Sequence, residues 1–572
     1  MQIRVSIAVL AVIFALHCAL ATRTMVAPAS TMCAFSGDCT RGDWTRLQKS
    51  AADIHPIIIA VKLRNGAEAS CDALLMEIST PGSPKAGLRY THEQVGQLLS
   101  NFDNTRTVEQ WLRAHDLAYE TASNGDFIRV SAPVARLERL LGAQFHDFSS
   151  RTLGLTVRRT ASISIPENVA AAIDFIGNTI RFPDLKGRFT MMTPAGTHAE
   201  RQQSDTVSPQ TIWKFYGVTN TTVDSTITQS LFESLDQSFS PSDLTTFQKE
   251  FGLKQTACKT NPDNCGEANL DVQYMMAVAQ GAATTYWSIP TSAQDIFLDW
   301  IVALAGTPNP PSVHSISYGS IATENPQNDM TRFNTEACKL GLKGVSIMVS
   351  SGDDGVANFE ARGNATACGF NPSFPATCPY VTAVGATMGP EAGQPEVACT
   401  SNNGGLITTG GGFSIFFKRP AYQDAAVKQY LANAPNLPPT SMFNANGRGY
   451  PDVAVLGHNY QVVIGGNTYS VSGTSASSPV FAAFITLING QRATMGKGPV
   501  GFINPTLYHL YDQKSPVFND VTVGENNCCA GNTPDEITCC PYGFNATAGW
   551  DPLTGLGSVK FPQLLQALST MI

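Results

Sequence analysis

The chain has 572 residues, 37 Lys plus Arg against 45 Asp plus Glu, a formal net charge of −8 and 43% hydrophobic residues. That length allows more than one domain at roughly 100 to 200 residues each, and the 48 Gly and 34 Pro describe a loop-rich globular chain with no repeat, heptad or low-complexity run. The acidic balance argues against nucleic acid as a partner.

Residues 1–21 have one early positive charge at Arg4, an apolar run from Val5 through Leu16, and Ala19-Leu-Ala21 as a small-x-small cleavage pattern. These features predict a signal peptide. No later segment reaches the roughly 18 uninterrupted apolar residues of a membrane span, so the mature chain is expected to be soluble and to follow the secretory route. Of the 14 cysteines, Cys18 leaves with the signal and the other thirteen cannot all pair, so at least one thiol is expected free. The doublets Cys528-Cys529 and Cys539-Cys540 predict local staples; they lack the Cys-x-x-Cys gaps and nearby His of a zinc site. Asn220, Asn364 and Asn545 open sequons for glycosylation.

From Thr22 to about Asp205 the chain has its own organisation. Ile57-Ile-Ile-Ala-Val-Lys-Leu63 predicts a strand, and Thr91 to Leu99 a helix with Val95, Leu98 and Leu99 on one face. A helix with Val108, Trp111 and Leu112 follows, then a strand at Asp126-Phe-Ile-Arg-Val-Ser131 and a helix from Ala135 to Leu141. The mixture predicts a small α+β domain. The polar stretch Pro194 to Ser204 predicts a linker open to proteolysis. Charge divides there: residues 22–205 hold 20 Lys plus Arg and 19 Asp plus Glu, whereas residues 206–572 hold 16 and 26, a net of −10.

Beyond Asp205, apolar strands alternate with helices. Val313-His-Ser-Ile-Ser-Tyr318, Val345-Ser-Ile-Met-Val-Ser350 and Tyr380-Val-Thr-Ala-Val-Gly385 predict buried strands, with a helix from Met330 to Leu342 between the first two. This is the α/β pattern of a parallel sheet with crossover helices. Ligands of such sheets sit at the carboxyl ends of strands, which draws attention to Ser350-Ser-Gly-Asp-Asp-Gly355.

Within that half, Glu267 and Asp271 stand four residues apart on one predicted helix, about 40° apart around its axis. Like charges at that spacing weaken an isolated helix, although a solvated acidic face near a helix N-terminus is an equal reading. Asp353 lies at a strand exit, where an Asx turn with Gly355 is the alternative. In Val471-Ser-Gly-Thr-Ser-Ala-Ser-Ser-Pro479, a hydroxyl-rich stretch leads into Val480, Phe484, Leu487 and Ile488 at helical spacing. A buried helix is expected to start just after Ser475, with Ser and Thr as caps and Pro479 in its first turn. A serine there meets free N–H groups and a positive dipole, which suits an oxyanion; a plain helix cap is the alternative. Histidine offers no general base in this half: His314, His458 and His509 read as packed or surface residues, and Gly196-Thr-His198 lies in the linker. If Ser475 is a nucleophile, its base is a carboxylate.

These motifs, together with Val108-Glu-Gln-Trp-Leu112, Leu270-Asp-Val-Gln-Tyr274, Ser315-Ile-Ser-Tyr-Gly319, Gly410-Gly-Gly-Phe-Ser414, Tyr450-Pro-Asp-Val-Ala454 and Gly549-Trp-Asp-Pro552, resemble those of the sedolisins, the serine-carboxyl peptidases. The resemblance implies a subtilisin-like α/β peptidase domain, residues 206–572, a small ferredoxin-like α+β propeptide, residues 22–205, and a signal peptide, residues 1–21. It implies Ser475 as nucleophile, Glu267 as base, Asp271 as the carboxylate orienting that base, and Asp353 as the oxyanion-hole acid. Ser317 and Gly411 are the implied substrate-binding positions. Ca²⁺ is the implied cofactor, held by the side chains of Asp520 and Asp551 and the carbonyls of Val521, Thr547 and Gly549, hard oxygen donors suited to that ion. Thr547 stands where closer relatives have Gly.

The implied protein is a monomeric zymogen, lysosomal or secreted, inhibited by its own propeptide. It would act on peptides and proteins, releasing tripeptides from free N-termini in acid. An acid endopeptidase of the same family and a catalytically inactive binding protein are the alternatives. An ionised Glu267 beside a protonated Asp353 predicts a bell-shaped activity profile below neutrality.

Overall fold

The computed structural model describes residues 23–25, 40–41, 44–47, 53–151, 154–182, 191–194, 205–235, 237–253, 266–290, 293 and 295–570. The expected signal peptide, Gly196-Thr-His198 and most of the expected linker lie outside them. Two units are present, and the chain passes between them several times. The first combines Met1–Ala67, His92–Leu185 and Thr291–Asp295; the second combines Glu68–Thr91, Lys186–Pro290 and Ile296–Ile572.

The first unit is the α+β domain read from the sequence. Four antiparallel strands run in the order Ile173–Gly177, Ile54–Val61, Phe127–Pro133, Glu120–Ala122. Against them lie Phe102–Ala114 and Val134–Leu141, whose Val108, Trp111, Leu112, Leu137 and Leu141 join Ile57, Ile59 and Val130 in one core. Leu98, expected on the buried face of its helix, is instead 42% exposed, while Gly96 is buried beside Val95 and Leu99. A Cβ at Gly96 would come within 2.5 Å of Asn124, so Gly96 allows the helix to approach the 123–125 turn closely.

The second unit is built on a nine-stranded sheet. Its parallel part runs Ala283–Ser288, Thr228–Glu233, Val313–Ile316, Ser346–Ser350, Thr382–Met388, Val453–Leu456, Ser558–Val559. Strands Val313–Ile316, Ser346–Ser350 and Thr382–Met388 are buried at every position, which is why they read as unbroken runs of apolar and small residues. Helices Gly266–Val278, Ile296–Ala305 and Gln327–Leu342 are the crossovers.

Helix Thr474–Thr494 packs on five of these strands and on Gly266–Val278, and is buried from Thr474 through Gly490. Full burial of a side chain such as Phe484 or Ile488 contributes about 1.5–3 kcal/mol, which anchors the helix start. That start differs from expectation. The helix begins at Thr474, its N-cap is Gly473 with no side-chain cap, and Pro479 falls inside the helix. Burial of the whole hydroxyl stretch extends the helix N-terminally, because the Thr474 N–H and hydroxyl find partners outside the helix.

The cysteines also part from expectation. Cys528 pairs locally with Cys539, but Cys540 reaches back to Cys368, and Cys529 is a free buried thiol, as are Cys378 and Cys399. The free thiol that an odd count required is therefore present.

Candidate active site

Three neighbouring strands end at one place. Thr228–Glu233 delivers Glu233, Val313–Ile316 is followed by Ser317 and Tyr318, and Ser346–Ser350 by the Ser351 to Asp353 turn. Helix Gly266–Val278 brings Glu267 and Asp271 one turn apart, and helix Thr474–Thr494 opens there with Ser475, 6% exposed. The four candidate catalytic residues are thus gathered from two helices and a strand exit within one unit.

The hydrogen bonds connect them. Asp353 Oδ1 accepts both the backbone N–H and the hydroxyl of Thr474, each at 2.8 Å, and the Thr474 hydroxyl accepts the Gly352 N–H at 3.0 Å. Asp353 is therefore fastened to the residue next to Ser475 and is not the acid of an Asx turn. Ser317 Oγ lies 2.7 Å from Asp271 Oδ2, to which it donates, and 3.2 Å from the Ser475 carbonyl oxygen. The Ser475 hydroxyl donates to the Ser317 carbonyl at 3.3 Å. That Ser475 carbonyl is four residues before Pro479, which has no N–H to give it; the proline leaves it facing the Ser317 hydroxyl.

Glu233 was not singled out from the sequence. Its carboxyl is fully buried, interacts with that of Asp271, and accepts the Tyr318 hydroxyl at 2.8 Å. Two buried carboxyls that face one another favour a proton on one of them. Burial first, then the Glu267 charge, raises Glu233; burial first, then the Glu233 and Glu267 charges, raises Asp271. Both carboxyls are held well above the usual carboxylate range. The signal that could have found Glu233 is a carboxylate ending an otherwise neutral strand, Thr-Gln-Ser-Leu-Phe-Glu, at the carboxyl edge of a parallel sheet.

Other candidates are placed as follows. His314 is buried on Ser230 and the Pro311 carbonyl, and burial pushes it down to about 3, so it is a neutral packed residue as read. Ser317 turns its hydroxyl onto Asp271, which makes it an orienting group. Gly411 is backed against the fold: a Cβ there would sit 1.7 Å from the Pro552 carbonyl oxygen. Asp520 accepts the Gly549 N–H at 3.0 Å, while buried Asp551 accepts the N–H groups of Thr547, Leu553 and Thr554. Two carboxylates thus meet one turn, 547–551. Among the described residues no group of three His, Cys, Asp or Glu gathers, so a cation here would draw its remaining ligands from carbonyls. That donor set fits a hard ion.

Comparison with known proteins now has a geometry to rest on. The family described as "Pro-kumamolisin, activation domain" matches residues 43–182, and the subtilase family matches residues 272–497. Tripeptidyl-peptidase 1 of Mus musculus is 35% identical over 544 residues, covering 90% of this chain and 91% of its own. Physarolisin of Physarum polycephalum is 32% identical over 542 residues, covering 87% and 91%. The chain belongs to the sedolisin family. This sedolisin is a serine-type peptidase made with an activation domain, and its fold is subtilisin-like. Among solved structures, Pseudomonas sedolisin aligns over 64% of this chain and 99% of its own at 23% identity, with a TM-score of 0.49.

Proposed function

We propose that this sedolisin releases tripeptides from free N-termini in acid, through an acyl-enzyme on Ser475. The observation that carries the chemistry is the carboxyl chain Glu267, Asp271 and Glu233 beside a buried serine, with the candidate histidine His314 held neutral on other partners. Glu267 takes the Ser475 proton as Oγ attacks the scissile carbonyl, and Asp353, protonated, donates to the oxyanion. The proton returns to the leaving amine, and water frees the peptide by the reverse path. Asp271 and Glu233, sharing one proton, add a single negative charge where two would oppose ionisation of Glu267.

Tripeptide length is supported by the name shared by relatives at about 35% identity. The test compares a fluorogenic tripeptide amide with its N-blocked twin, on mature enzyme at about pH 4. Cleavage of the free form alone is expected. Cleavage of both would make it an endopeptidase, and cleavage of neither an inactive binding protein.

Three further readings belong here. Asp520, Asp551 and the carbonyls of Val521, Thr547 and Gly549 hold Ca²⁺, which when bound neutralises the two carboxylates and pins the 547–551 turn. The chain works as a monomer in the lysosome or outside the cell. The propeptide is removed by a cut in the 194–208 stretch; strand Met191–Pro194 pairs antiparallel with Asn467–Ser472, placing Met191 opposite Ser472, three residues before Ser475.

A further inference from the structure

Cys71 and Cys338 are bonded across 267 residues of sequence, and both lie in the second unit. Cys71 falls within the activation-domain match, 43–182, and Cys338 within the subtilase match, 272–497. A cut between the two matches opens the backbone and leaves this bond intact. We propose that maturation takes a second covalent step, thiol–disulfide exchange at Cys71–Cys338 by a thiol or dithiol reductant, before the activation segment can leave the peptidase. This rests on the reading of that segment as a cleaved propeptide.

The segment bearing Cys71 is seated as well as stapled. In helix Ala67–Ser79, Asp72 accepts the Tyr380 hydroxyl at 2.9 Å and the Ser79 carbonyl accepts the Thr506 hydroxyl at 3.0 Å. Beyond it Arg89 donates to the Pro499 carbonyl at 2.8 Å, and the Tyr90 N–H to the Leu342 carbonyl at 3.0 Å. The receiving surface is cut to fit: a Cβ at Gly341 or at Gly344 would come within 2.8 Å of Leu75 or of Arg89 respectively. Gly341 is on the same helix as Cys338. Both sulfurs are in fully buried residues, so exchange requires helix Ala67–Ser79 to part from helix Gln327–Leu342 first.

In the exchange a reductant thiolate attacks one cystine sulfur, the S–S bond breaks, and the other cysteine leaves as a thiolate that takes a proton. A second reductant thiol then resolves the mixed disulfide. One cystine is reduced to two thiols while two reductant thiols are oxidised to one disulfide.

The test uses Ser475→Ala zymogen with a site-specific protease sequence inserted between Gly196 and Thr197, so that cutting does not depend on self-cleavage. In denaturing electrophoresis the cut protein is expected to run as one species without dithiothreitol and as two with it. Cys338→Ser is expected to give two in both, and non-reduced peptide mapping of the uncut chain to recover the Cys71–Cys338 pair whether or not that variant folds. On native size exclusion, the activation segment is expected to separate only after dithiothreitol. Separation of the cut parent without reductant, or recovery of Cys71 in another pair, would overturn the proposal. Failure of wild-type zymogen to be cut in the 194–208 stretch in acid would sink the reading of that segment as a cleaved propeptide and leave these outcomes unchanged.

Discussion

Asp353 Oδ1 accepts two donors from Thr474, and the proposed oxyanion role asks the same carboxyl to carry a proton. An amide can copy both duties, with Oδ1 accepting and Nδ2 donating, but it has no proton to lose. Asp353→Asn is therefore expected to fold normally, to keep activity in acid within about tenfold, and to extend it toward neutral pH. Asp353→Ala, which removes the donor, is expected to cost about 10²–10³ in kcat. An unchanged alkaline limb in Asp353→Asn would remove Asp353 from the oxyanion role. At this scale local pattern alone left Ser475 open between nucleophile and helix cap and Asp353 open between site and turn, and it was the motif resemblance that singled them out. Glu233 was not legible, since its meaning lies in its pairing with a residue 38 positions away, beyond any local pattern.

Elements were legible wherever one period held. The buried strands and Gln327–Leu342 fell where apolar runs placed them, to within a few residues. The start of the serine helix was misplaced, because tertiary partners of Thr474 override local capping rules. Pro479, inside the helix, costs one helical bond and leaves the Ser475 carbonyl facing the Ser317 hydroxyl, 3.2 Å away. Pro479→Ala restores an N–H in reach of that carbonyl, a bond of about 0.5–1.5 kcal/mol. The expected result is an unchanged or slightly raised melting temperature and kcat lowered several-fold at constant KM. Wild-type kcat would show that the Ser317 contact is dispensable. The 547–551 turn gives an element-scale test of another kind: removing Ca²⁺ with a chelator is expected to lower the melting temperature by several degrees, and Asp520→Ala to abolish that sensitivity. Metal analysis finding no calcium in chelator-free protein would refute the site.

At the scale of the molecule, buried ionisable groups set how stability follows pH. Glu233 and Asp271 are raised, so in the folded state they keep a proton that the unfolded chain gives up near its ordinary carboxyl values. Their contribution is fully present below those values and is lost as pH rises toward the folded titration. His314, lowered to about 3, pulls the other way, because the unfolded chain takes up its proton below about 6.5. A single melting curve against pH therefore mixes opposite slopes and decides nothing. The difference between two proteins that share His314 does decide. Glu233→Gln removes the need to share a proton: its amide can donate to Asp271, and Asp271 then ionises with less repulsion. In Ser475→Ala background, which prevents self-digestion, the variant is expected to match its parent near pH 4 and to gain on it as pH rises. The slope approaches 1.36 kcal/mol per pH unit for one retained proton. Urea unfolding at several pH values measures it directly. A difference that stays flat would mean that the pair holds no extra proton, and the charge-sharing role given to Glu233 would fall with it.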